Sequence, residues 1–112
     1  MIGYDFGDIV LVPFPFTDQS ASKKRPAVVV SSRAFHQTRL DVMLMAITSK
    51  VQTLQHLDGL MIQSWEESGL LKPSVVKPVM TTVTRTLIIK KLGRLEEHDQ
   101  ASLREFLHQI LG

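Results

Sequence analysis

The apolar positions of this chain change their period once, near residue 96. Before that point they come in short runs that suit strands, and after it they recur every three or four residues. Ile9 to Val12 is an almost wholly apolar, β-branched run entered through Gly7-Asp8 and followed by Pro13-Phe14-Pro15-Phe16. That predicts a strand loosened at its end, because proline donates nothing to a ladder. Thr17 to Lys24 holds only small, polar and basic residues and predicts a loop. Arg25 stands before Pro26, where a residue is pushed towards extended geometry, so it is expected at the entry to a second strand. Ala27 to Val30 continues that strand, and Ser31-Ser32 closes it.

Ser32 to Thr38 has no period and predicts a connection with room for a helical turn. Asp41 to Ser49 is a third strand, with Val42, Leu44, Ala46 and Thr48 on one face and Met43, Met45, Ile47 and Ser49 on the other. His56 to Ile62 has weaker strand character, and Trp65 to Gly69 suggests a turn stopped at glycine. Lys72 to Val76 and Val79 to Arg85 read as two separate strands on either side of Pro78, and Lys90 to Leu95 as a last strand or bend. Beyond Glu96, Leu103, Phe106, Leu107, Ile110 and Leu111 fall on one face of an amphipathic helix. Glu96, Glu97 and Asp99 favour its first turn, and Gly112 can end it. Many short strands and one terminal helix predict an α+β, mainly β domain built on a small curled antiparallel sheet or barrel.

Length and composition narrow the function. With 112 residues, 44% hydrophobic and 21% charged, the chain suits one globular domain spanning residues 1–112. The absence of cysteine removes thiol nucleophiles, disulfides and thiolate metal sites. His36, His56, His98 and His108 lack paired ligand spacing, so no metal or other cofactor is expected. No apolar run has the length of a secretion signal or a membrane span, which points to a cytoplasmic protein without a membrane partner. The net charge is only +2, but basic residues cluster at Lys23, Lys24 and Arg25 and again at Lys90, Lys91 and Arg94. Such clusters suit a polyanion, or else are solvated surface lysines.

The chemistry left open is a loop-borne arginine, a hydroxyl pair at a strand end, and a basic surround. Arginine offers a planar fork that fits phosphate oxygens and stays charged. Thr48 and Ser49 can donate hydrogen bonds to the same group. RNA carries its own nucleophile, the 2′-hydroxyl, so a site that positions the phosphate and stabilises its developing charge suffices for cleavage. Against this, Arg25 can simply cap a strand and Thr48 fill a ladder position.

The ordered set GDIVLVPFPFTDQSASKKRPAVVVS at Gly7 to Ser31, AITSK at Ala46 to Lys50, SGLLKPSVVKP at Ser68 to Pro78 and KKLGRL at Lys90 to Leu95 resembles the MazF/PemK toxins of type II toxin–antitoxin systems, most closely the PemK-like branch. The resemblance spans nearly the whole chain. It implies a compact SH3-like β-barrel of the CcdB/MazF type with a C-terminal helix, working as a homodimer. It also implies a metal-independent, sequence-selective endoribonuclease that cleaves single-stranded RNA, including mRNA, to 2′,3′-cyclic phosphate and 5′-hydroxyl ends and so halts translation and growth. The family's catalytic arginine falls on Arg25 and its transition-state-stabilising threonine on Thr48. A guanidinium hardly deprotonates, so charge stabilisation and leaving-group protonation are the physically easier roles for Arg25. RNA-binding positions fall on Thr17, Asp18, Gln19, Ser20, Ser22, Lys23 and Lys24, with Ser49 beside the threonine.

Phe14 or Phe16 would either stack on a base or belong to the core or dimer interface. Met80 and Thr82 stand where relatives often carry glutamine and arginine, a departure that touches base selectivity more than cleavage. A cognate antitoxin with an acidic, apolar C-terminal tail is the implied protein partner. Two other readings keep a similar fold: a non-enzymatic CcdB-like toxin that binds gyrase, and an inactive RNA-binding barrel. The first is disfavoured because the chain ends Gln109-Ile110-Leu111-Gly112 and its one tryptophan is Trp65.

Overall fold

A computed structural model describes residues 3–13, 24–50 and 59–112. Strands β1 (Asp8–Pro13), β2 (Lys24–Val29), β3 (Asp41–Thr48), β4 (Leu60–Met61), β5 (Val75–Thr84) and β6 (Lys90–Arg94) form a six-stranded antiparallel sheet in the order β4-β5-β3-β2-β1-β6. Helix α1 (Arg33–Thr38) links β2 to β3, and α2 (Glu97–Leu111) follows β6. No described helix is long and apolar enough to cross a membrane.

The register explains why the first three strands read as apolar runs. Ile9 stands opposite Val28 and Val28 opposite Met45, making one buried row. Val10, Ala27 and Ala46 make the neighbouring row on the other face. Both faces of these strands are covered, so apolar residues occupy successive positions instead of alternating with polar ones. The first face packs with Ile62, Leu70 and Val76 beneath Leu103 and Phe106 of α2. Burying each of those two helix side chains contributes about 1.5–3 kcal/mol. The second face gathers Val12, Val29, Val42 and Leu44 and is closed by Ile88 from the link between β5 and β6. The expected alternation of β3 is seen here: Val42 and Leu44 join one cluster, Met45 and Ile47 the other.

Three expectations change. The two strands anticipated around Pro78 are one, because β5 runs through the proline. Met45 pairs with Met80 and Ile47 with Val76, leaving Ala46 opposite Lys77, Pro78 and Val79. This bulge accommodates the residue that cannot donate to the ladder. Leu111 is 68% exposed in the last turn of α2 and does not share the buried face of Leu103 and Phe106. Asp99 does more than favour the helix dipole: its buried carboxylate accepts from the N–H groups of Gln63, at 3.0 Å, and Ser64, at 2.8 Å.

That carboxylate fixes the turn leading to Gly69, and this turn meets β6. A Cβ on Gly93 would lie 2.1 Å from the Ser68 carbonyl oxygen, and one on Gly69 2.3 Å from the Leu92 carbonyl oxygen. Gly69 also has φ +92°, a conformation that other residues rarely adopt. The backbone approach joins the segment after β4, at one edge of the sheet, to β6 at the other. The sheet thereby curls into the expected small barrel.

Candidate functional site

Pairing between β2 and β3 ends at Ala27 and Ala46. Two residues further along each strand, in the same alternation as that pair, stand Arg25 and Thr48. Beyond the end of this ladder a cleft of about 600 Å³ opens. Arg25, Pro26, Ile47, Thr48, Ser49 and Lys50 line one side; Gly69 to Lys72, Ser74, Lys90, Leu92 and Leu11 line the rest.

Four cations, Arg25, Lys50, Lys72 and Lys90, line this cleft, and no described carboxylate does. Their fields add, and low-dielectric walls such as Leu11, Pro26, Leu70 and Leu92 strengthen the effect on an anion that enters. Thr48 is half-buried, and its Oγ1 accepts from the N–H of Lys50 at 3.1 Å. Among the described residues the hydroxyl proton has no acceptor. The arrangement is suited to binding a phosphodiester and to stabilising extra charge on it.

The second basic cluster of the sequence does not act as a unit. Ile9 pairs with Gly93 but Val10 with Lys91, so Leu92 is an extra, bulged residue. Side chains three apart on a regular strand point to opposite faces. The bulge instead puts Lys91 and Arg94 on one face, both against Asp8, at 3.2 and 3.1 Å. Asp8 is fully buried and also accepts from the Asp5 N–H. Only Lys90, opposite Leu11, is left to the cleft. Asp5 receives the fork of Arg33 at two distances of 2.7 Å. The Arg33 hydrogen bond, outweighing the opposing effect of desolvation, holds the Asp5 carboxyl below its ordinary value, with Arg33, Arg94 and Lys91 adding charge attraction.

Of the expected site residues, the structure gathers Arg25, Thr48 and Ser49 into the cleft. Lys24 is exposed at the start of β2, opposite Pro13, and is not among the lining residues. Thr17, Asp18, Gln19, Ser20, Ser22 and Lys23, together with Phe14, Phe16 and His56, lie outside the described residues. Met80 and Thr82 are exposed on β5, away from the cleft lining. Lys50, Lys72 and the wall from Leu70 to Leu71 were not singled out by sequence. The available signal was the pair of glycine-bearing motifs, SGLLKP and KKLG, whose glycines pack together. His36 is a satisfied core histidine, bonded through its two ring nitrogens to the Ser31 hydroxyl and the Tyr4 carbonyl.

Residues 5–111 match the family described as the PemK-like, MazF-like toxin of type II toxin-antitoxin system. The chain belongs to this family. Among solved structures, MazF of Deinococcus radiodurans has a TM-score of 0.77 at 19% identity, covering 100% of this chain and 99% of that one. Toxin MazF-mt6 of Mycobacterium tuberculosis has 0.74 at 19% identity, covering 93% and 95%. An endoribonuclease in complex with its cognate antitoxin from Mycobacterial species has 0.72 at 17% identity, covering 100% and 96%. No curated protein matches the chain in sequence. The curled six-stranded sheet with its terminal helix is the MazF-like fold, and the cleft described above lies at one end of it.

Proposed function

We propose that this MazF-like toxin is a metal-independent, sequence-selective endoribonuclease acting on single-stranded RNA in the cytoplasm, as a homodimer restrained by a cognate antitoxin. The observation that carries this reading is the placement of Arg25 and Thr48, from two diverging strands, on one cleft lined by four cations and no described carboxylate. A polyanionic substrate is what such a cleft attracts.

In the reaction the 2′-oxygen attacks the neighbouring phosphorus, a P–O2′ bond forms, and the P–O5′ bond breaks. The 2′-proton leaves to solvent and the 5′-oxygen gains a proton, giving 2′,3′-cyclic phosphate and 5′-hydroxyl ends. Charge on the non-bridging oxygens rises as the nucleophile adds. In this reading the Arg25 guanidinium meets that charge with its N–H donors and protonates the leaving oxygen as it departs. The Thr48 hydroxyl donates to the same phosphoryl group. Ser49, Thr17, Asp18, Gln19, Ser20, Ser22 and Lys23, with Lys24 at the start of β2, would hold the adjoining nucleotides.

The test incubates the purified protein with single-stranded RNA in EDTA, beside Arg25→Ala and Thr48→Ala. Loss of one donor to a developing oxyanion lowers turnover by about 10²–10³-fold, and both variants should fall by that order while melting like the parent. A parent that does not cleave sinks the reading in favour of a binding-only toxin or an inactive barrel. EDTA-sensitive cleavage overturns the metal-free mechanism.

A further inference from the structure

We propose that Lys72 and Lys90 hold the RNA phosphates flanking the scissile one while Leu71 bears on an adjoining base, so that the backbone runs along the seam between β6 and the segment after β4. This rests on the RNA reading above and extends it to residues outside the Arg25–Thr48 pair.

Four observations carry it. Lys72 and Lys90 line the same cleft as Arg25, yet come from elements remote in sequence. The backbone contact of Gly69 with Leu92 and of Gly93 with Ser68 holds the two segments that carry these lysines against each other. Neither lysine has a carboxylate within ion-pair distance among the described residues, whereas Lys91 and Arg94 on the same strand are committed to Asp8. Finally, Leu71 is 93% exposed while lining the cleft directly beside Lys72. One exposed leucine is unremarkable by itself. Beside Lys72, which has no carboxylate partner among the described residues, it supplies an apolar surface against which a splayed base can lie, in a groove basic enough to hold the backbone. The cleft volume of about 600 Å³ is that of a small-ligand site, enough for a nucleotide unit and too small for a folded partner.

The experiment measures binding of a fluorescein-labelled, mixed-sequence single-stranded RNA carrying 2′-O-methyl groups throughout, which removes the nucleophile, over a series of salt concentrations. Each phosphate contact to a single strand contributes about 0.7 to the slope of log affinity against log salt. Lys72→Gln and Lys90→Gln should each reduce the slope by about that amount. Leu71→Ser should weaken binding at every salt concentration and leave the slope in place. Arg104→Gln, whose guanidinium lies over the Phe6 ring outside the cleft, serves as the control with an unchanged slope. Thermal melts establish that all variants are folded. Slopes for the two lysine variants equal to that of Arg104→Gln overturn the phosphate contacts, and unweakened binding by Leu71→Ser overturns the base contact. A parent that neither binds nor cleaves RNA sinks the endoribonuclease reading along with this one, whereas a parent that does both, with unmoved slopes, sinks this one alone.

Discussion

Replacing Gly93 with alanine adds a single methyl group, and the structure says where it must go. The new Cβ would stand 2.1 Å from the Ser68 carbonyl oxygen, 2.7 Å from its carbon and 3.2 Å from the Gly69 Cα. Comfortable contacts between heavy atoms begin near about 3.5 Å, so the overlap exceeds about 1 Å. All three neighbours are backbone atoms, and no rotamer change relieves the clash. The turn around Ser68 and Gly69 has to move off β6, opening the barrel seam and taking Leu70 to Lys72 with it. Overpacking typically costs 1–3 kcal/mol, and a clash confined to backbone belongs at the upper end, about 3 kcal/mol. For a chain of this size, that lowers Tm by about 13 °C.

The assay is thermal unfolding followed by circular dichroism, with Gly3→Ala as the control, since a Cβ there meets nothing within 4 Å. Gly69→Ala breaks the same contact and adds the strain of its positive φ. The double variant should therefore lose less than the sum of the single losses. A Gly93→Ala protein that melts within about 2 °C of the parent refutes the reasoning. Full additivity of the pair would mean that each glycine acts alone.

Two further outcomes follow from buried and paired carboxylates. Asp99→Ala leaves the N–H groups of Gln63 and Ser64 without their acceptor; with about 1–3 kcal/mol for each abandoned donor, the loss in urea unfolding should be about 2–6 kcal/mol, and a change below about 0.5 kcal/mol would show that water replaces the carboxylate without penalty. Asp5 has its carboxyl held below its ordinary value of 3.8 by Arg33, so the pair stabilises the fold above that pH and the contribution fades as pH falls through the lowered value. The difference in stability between the parent and Asp5→Asn should be constant from about pH 5 to 8 and shrink below about pH 4, and a gap that persists to about pH 2 would contradict it.

Local pattern determined much of this protein. The β-branched runs at Ile9, Ala27 and Asp41, the alternation within Asp41 to Ser49, and the spacing of Leu103 and Phe106 each specify an element and its buried face without reference to any other. The same local rules placed Arg25 at a strand entry, through the proline after it, and Thr48 at a strand end. Tertiary structure decided what depends on a partner strand. Whether Pro78 ends a strand or is absorbed rests on Ala46 opposite it; whether Lys90, Lys91 and Arg94 act together rests on the bulge at Leu92. Asp99 reads as a helix-dipole residue until Gln63 and Ser64 are brought to it. The cleft itself requires β2 and β3 to part beyond Ala27 and Ala46, and Gly69 to meet Gly93. Side-chain period is a property of one segment of backbone, whereas bulges, buried ion pairs and backbone contacts are properties of two. No single stretch of sequence carries the second kind of information.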